Sequence, residues 1–207
     1  MKFLKPLTVF AILSLSVFQL SAQSTLALQK AFQDSYYEES KKNYNKAINH
    51  IIPFYEQGNY ETNLRIGWLY YLAKNYHASQ SYYIRAVNLR SNSIEAKFGL
   101  VKPLSFLGSW DKVIDQYKAI LKIDPQNKQA NYWLGVMMYN KKQYATSAKY
   151  FAKVVKAYPF DYDGNHMLAW SLLLLGRKAE AKASFERALL VKPGDFSSND
   201  GFNKALK

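Results

Sequence analysis

KQANYWLGVMMYNKKQYATSAKYFAKVVKAYPFD, residues 128–161, is the stretch on which the fold turns. Two apolar stripes run through it at helical spacing: Tyr132, Leu134 and Met138, then Ala148, Phe151 and Val155. Asn140-Lys141-Lys142-Gln143 interrupts the pattern between them. Pro159 closes it, because proline cannot continue a helix. The stretch therefore predicts two short amphipathic helices joined by a tight turn. A pair this small cannot bury its apolar faces alone and needs neighbours of its own kind.

Those neighbours are present at a fixed spacing of 34 residues. Pro125, Pro159 and Pro193 form one such series, and Tyr76, Trp110 and Tyr144 a second. Tyr83, Tyr117, Phe151 and Phe185 form a third, and Ser79, Val113, Ser147 and Ala181 a fourth. Gly67, Val101, Gly135 and Ala169 form a fifth, in which the glycines admit a close approach between helices. The frame gives units 60–93, 94–127, 128–161 and 162–195, a divergent unit at 28–59, and a tail at 196–207 read as a capping helix. Gly108 and Gly176 suit the end of a first helix. The aromatic series reads as packing, with Tyr44, Tyr76, Trp110 and Tyr144 filling the start of each second helix. Asp34 and Glu38 fall where the first unit wants apolar residues. A two-residue slip, with a longer loop around 39–43, would place Phe32 and Tyr36 there instead. Pro53 and Pro103 sit inside predicted helices, and Pro103 reads as a kink relaxed at Gly99.

The runs Ile66-Gly67…Tyr70…Tyr76…Tyr83…Ala86, Leu134-Gly135…Tyr144…Phe151…Pro159 and Leu168-Ala169…Ala181…Phe185…Ala188…Pro193 resemble the tetratricopeptide repeat (TPR). The resemblance implies an all-α, right-handed superhelix of about five helix–turn–helix units plus a C-terminal capping helix. It also implies a concave face lined by first helices, which holds a protein or peptide partner. Projected onto that face are Leu64, Trp68, Tyr71, Phe98, Lys102, Ser105, Tyr132, Val136, Tyr139, His166, Trp170 and Leu173. Rigid aromatic anchors of this kind dominate binding hot spots. Family members that clamp a terminal carboxylate use Lys, Asn and Arg along this face. Here those places hold Leu64, Trp68, Phe98, Tyr132 and Trp170, so a ligand with apolar or aromatic anchors is expected. Stacking of a glycan or peptidoglycan on the same rings is the competing reading, against which stands the scarcity of polar groups beside them.

Composition narrows the rest. The 207 residues carry a net charge of +13, and cysteine is absent, which excludes disulfides, thiolate metal sites and a cysteine nucleophile. Lys2 and Lys5 precede an apolar run over 7–20 and Ser21-Ala22, the layout of a secretory signal with cleavage after Ala22. A retained anchor is the alternative. Cleavage would leave 185 residues at +11, exported to a bacterial periplasm or exterior, with no later segment apolar enough to span a membrane. His50, His77 and His166 lie in different units without helical metal-ligand spacing. His166 with Asp163 and Trp170 is the most site-like group. No catalytic motif, metal or cofactor is expected. The basic residues are scattered, so nucleic acid is not an expected partner, whereas weak attraction to an anionic envelope is. Self-association stays open. Together these features predict a non-catalytic adaptor or assembly scaffold of the cell envelope.

Overall fold

A computed structural model describes residues 25–207. The expected signal, residues 1–22, lies outside them. Among the described residues there is helix and turn, and no strand. Helix α1 occupies residues 25–40. It is followed by α2 (Tyr44–Ile51), a 3₁₀ turn (Ile52–Phe54), α3 (Tyr60–Leu72), α4 (Tyr76–Leu89), α5 (Ile94–Phe106) and α6 (Trp110–Ile123). Then come α7 (Lys128–Asn140), α8 (Tyr144–Ala157), α9 (Tyr162–Leu174), α10 (Lys178–Val191) and α11 (Phe196–Leu206). The array is all-α, built of helix pairs closed by a single terminal helix.

The helix starts have a common chemical cause. Asn59, Ser93, Asn127, Asp161 and Asp195 each accept a hydrogen bond from the backbone N–H three residues on, capping α3, α5, α7, α9 and α11. Three residues into each of these helices a second device appears. Asn63, Asn131, Asn165 and Asn199 turn their side-chain amides back onto carbonyls of the preceding turn. In α5 that place is taken by Lys97, whose stem is buried and whose amine is held below the usual lysine range by burial.

The ends of the first helices are equally regular. Lys42, Lys74, Gly108, Lys142 and Gly176 adopt positive φ, between 57° and 74°. Around each, paired hydrogen bonds run back into the helix, as from Asn75 N–H to the Tyr70 carbonyl and from Lys74 N–H to Tyr71. The glycines of the frame sit under aromatic rings. A Cβ on Gly67 would lie 3.1 Å from the Tyr83 ring, and one on Gly135 2.8 Å from Phe151.

The chain divides into two compact units, one ending at Ser91 and the other spanning Asn92–Lys207. In the first, Ala31, Ile51 and Ile66 form one core and Ala47, Ile48 and Leu69 another. In the second, Phe151 and Phe185 are fully buried among Ala148, Leu168, Ala169, Leu172 and Ala181, with Ala205 of α11 closing the cluster. Helix α11 docks through small residues, since Ser198, Gly201 and Ala205 are buried while Phe196 stays 85% exposed.

Three expectations need correction. No long loop forms at 39–43: α1 runs to residue 40 and turns tightly at Lys42. Its buried face is Ala31 and Ser35; Phe32 is half-buried and packs on the core of Ala31, Ile51 and Ile66, Tyr36 is exposed, and Asp34 and Glu38 are partnered by Lys30 and Asn43. Pro53 lies in the 3₁₀ turn, where its missing N–H costs no helix bond. Trp110 is not a packing residue, being 54% exposed. Pro103 does lie within a helix, since α5 runs to Phe106 around its buried ring.

Candidate binding site

The residues projected onto the inner face fall into both compact units. In the first, Leu64, Trp68 and Tyr71 of α3 are half-buried. The Trp68 indole N–H donates to Glu39 Oε1 at 2.7 Å, and its ring stacks on Tyr71 at 5.6 Å. Glu39 also pairs with the buried Arg65, whose guanidinium donates to Ser35 Oγ and lies 3.9 Å from the Tyr36 ring centroid. Trp68 is thus a fixed member of a charged network.

In the second unit, Phe98 packs edge-on against Tyr117, Tyr132 against Phe151, and Tyr139 against Tyr144. Burial raises the phenol pKa values of Tyr132 and Tyr139 above the usual tyrosine range. Lys102 is exposed and Val136 half-buried. At the far end α11 engages the last two residues. The His166 ring shares a 2.8 Å hydrogen bond with Ser198 Oγ, and the Trp170 indole donates to Ser197 Oγ at 3.2 Å. Tyr162 stacks on His166 at 5.4 Å. Burial holds the imidazole below the ordinary histidine pKa, against the opposing pull of Asp195 and Asp163. The carboxylate of Asp195 is 3.8 Å from Nδ1, beyond hydrogen-bonding reach, and Ser198 is fully buried. The group holds a helix in place.

The open feature lies between α5, α6 and α7. A cavity of about 540 Å³ is lined by Trp110, Val113, Ile114, Tyr117, Trp133 and Met137, with Val136 from the predicted face and a polar edge of Ser105, Asn140 and Lys141. Its origin is one small side chain. In the flanking pairs, Tyr71 meets Tyr76 at 6.0 Å and Tyr139 meets Tyr144 at 5.4 Å. The corresponding residues here are Ser105 and Trp110, so Trp110 has no tyrosine to cover it and a void opens beside it. Burial pushes the Tyr117 hydroxyl at the cavity wall up to about 12.

Of the residues projected onto the inner face, Val136 and Ser105 line this cavity; Trp133 and Met137 were not among them, and Trp110 was read as packing. Two signals could have found them. Ser105 interrupts the series Tyr71, Tyr139 and Leu173. Helix α7 is apolar nearly all round from Tyr132 to Tyr139, more than one buried face requires. Among the described residues, no group of three or more His, Asp or Glu could hold a metal ion, and no helix is long and apolar enough to cross a membrane.

Solved structures share this fold. The chain is similar to the crystal structure of MamA, with a TM-score of 0.69 at 16% identity over 81% of this chain and 92% of that one. A tetratricopeptide repeat protein from Parabacteroides merdae matches with a TM-score of 0.72 at 16% identity, over 87% of this chain and 72% of the other. YrrB, described as a TPR protein with an unusual peptide-binding site, matches with a TM-score of 0.69 at 12% identity, over 87% and 97%. No curated protein matches the sequence significantly. Two family models described as tetratricopeptide repeat match residues 106–162, and residues 60–93 and 162–195. Such repeats typically form non-catalytic interaction scaffolds. With more than half of its residues matched and its helix pairs recurring every 34 residues, the chain belongs to the tetratricopeptide repeat family.

Proposed function

We propose that the protein is an adaptor or assembly scaffold of a bacterial cell envelope, and that it holds a peptide segment of a partner protein by an apolar or aromatic side chain. The observation that carries this reading is the cavity opened by Ser105 between Trp110 and Trp133. Trp110 and Trp133 are 54% and 43% exposed, a cost in contact with water that a bound side chain would remove. The lining has few hydrogen-bonding groups, which favours an apolar anchor over a sugar. YrrB supports the reading as a protein of the same fold with a peptide-binding site. Location in the envelope rests on the basic, then apolar, N-terminal sequence.

The test is selection from a random peptide library on the full chain, followed by titration of the enriched peptides into variants. Ser105→Tyr, which should restore the tyrosine cover of Trp110, is expected to abolish binding while leaving helical circular dichroism intact. Equal binding by Ser105→Tyr and by the Trp110→Ala/Trp133→Ala double variant would overturn the reading.

A further inference from the structure

We propose that the groove between α8 and α10 is a second docking surface, built for an acidic segment of a partner protein. Residues 128–160 contain Lys128, Lys141, Lys142, Lys149, Lys153 and Lys156 and no Asp or Glu. Two of these are paired with carboxylates: Lys128 lies 2.5 Å from Asp161 at the end of the same repeat, and Lys141 lies 3.2 Å from Asp111 of the preceding one. Arg177, at the N-cap of α10, pairs with Glu180, and Lys182 on α10 pairs with Glu186. Among the described residues, Lys142, Lys149, Lys153 and Lys156 of this stretch and Arg187 of α10 are left with no carboxylate partner, and all five are exposed.

Lys149 and Arg187 border one recess, and Lys156 follows Lys149 two turns further along the same face of α8. A cavity of about 520 Å³ runs between the two helices, with Lys149 on one rim and Arg187 on the other. Its floor is Ala148, Leu168 and Leu172, and the Arg177–Glu180 pair lies at its edge. Ala145, Lys149, Ala152 and Lys156 recur at spacings that share one face of α8, so the positive rim continues for two turns past a row of methyl groups. Small side chains let another backbone come close, while the rims supply charge.

The shape selects the occupant. A flat anionic bilayer would meet the rims and leave the apolar floor wet. A helical or extended segment fills the recess, its small apolar side chains on the floor and its carboxylates at Lys149, Lys156 and Arg187. Such rim charges act mainly through encounter rate and salt dependence. This surface uses none of the residues around Trp110, and it stands independently of the peptide reading given above.

The test uses the full chain and three probes: a fluorescein-labelled helical peptide of Glu, Ala and Leu, its Gln-for-Glu counterpart, and phosphatidylglycerol vesicles. The Glu peptide is expected to bind, to weaken as salt rises, and to lose at least about tenfold in affinity in Lys149→Glu/Arg187→Glu. Lys149→Gln/Arg187→Gln should give an intermediate loss, and Trp110→Ala/Trp133→Ala none, all with unchanged circular dichroism. Equal binding of the Gln peptide, or indifference to charge reversal, would overturn the proposal. So would vesicle binding that disappears on charge reversal in a protein that ignores the Glu peptide.

Discussion

Replacing Gly135 with alanine sets two effects of opposite sign against each other. Alanine in a helix interior is favoured over glycine by about 1 kcal/mol. The added Cβ, however, would stand 2.8 Å from Cε1 and Cζ of Phe151 and 3.0 Å from its Cδ1. Phe151 is fully buried and packed on Tyr132 at 5.7 Å, so its ring has little room to retreat. Overpacking of this kind costs about 1–3 kcal/mol. The net expectation is a loss of about 1 kcal/mol for Gly135→Ala, read from urea unfolding followed by circular dichroism. Gly67→Ala is the internal control. Its Cβ would stand 3.1–3.3 Å from Tyr83, a contact relieved by a shift of a few tenths of an ångström, so the change should be close to neutral. Shortening the opposing ring should relieve the clash, and the Gly135→Ala/Phe151→Leu double variant should be more stable than additivity predicts by about 1 kcal/mol. A Gly135→Ala protein stabilised by its helix propensity, and additive with Phe151→Leu, would show that the close approach of α7 and α8 is not what fixes glycine here.

Three further outcomes follow from the same structure. His166 is held below its unfolded pKa of about 6.5 by burial, so the unfolded chain binds the extra proton first. Its contribution is complete above about pH 6.5 and is lost as pH falls toward the folded value. Melting curves from pH 8 to pH 5 should therefore show a drop in stability that His166→Gln lacks. Tyr117, pushed up to about 12, should be missing from the tyrosinate absorbance that rises near pH 10, and its share of stability should be lost as pH climbs from 10 toward 12. Asp161 caps α9 through Gly164 N–H at 2.8 Å and pairs with Lys128, so Asp161→Ala should cost about 1–2 kcal/mol in urea unfolding. Asp161→Asn, which keeps the cap, should cost less.

Much of the architecture was legible because it repeats. Prolines after second helices, aromatic rings over glycine or alanine, and breaks between helices return at one interval, and each has a local cause. The first pair was less legible because its inward face is not apolar. Ser35 is buried as the acceptor of Arg65, and Tyr36 is exposed yet covers the same guanidinium, so periodicity of hydrophobic residues could not locate the face. The asparagine series at 63, 131, 165 and 199 was also visible in the sequence, but its meaning depends on carbonyls that converge only once the turn has formed. The candidate site was least legible. Trp110 shares its place with Tyr76 and Tyr144, and what distinguishes it is the size of Ser105, a neighbour across the turn. Trp68 and Trp170, projected onto the inner face by the family resemblance, already donate to Glu39 and Ser197.

The four tryptophans allow a direct test, since Trp68, Trp110, Trp133 and Trp170 occupy separate environments. Fluorine NMR of protein labelled with 5-fluorotryptophan gives one resonance for each, assigned by single substitution. Addition of a library-selected peptide is predicted to shift the Trp110 and Trp133 resonances together, to leave those of Trp68 and Trp170 in place, and to have no effect in Ser105→Tyr. Shifts confined to Trp68 and Trp170, or persisting in Ser105→Tyr, would contradict the assignment of the cavity as the site that holds the partner.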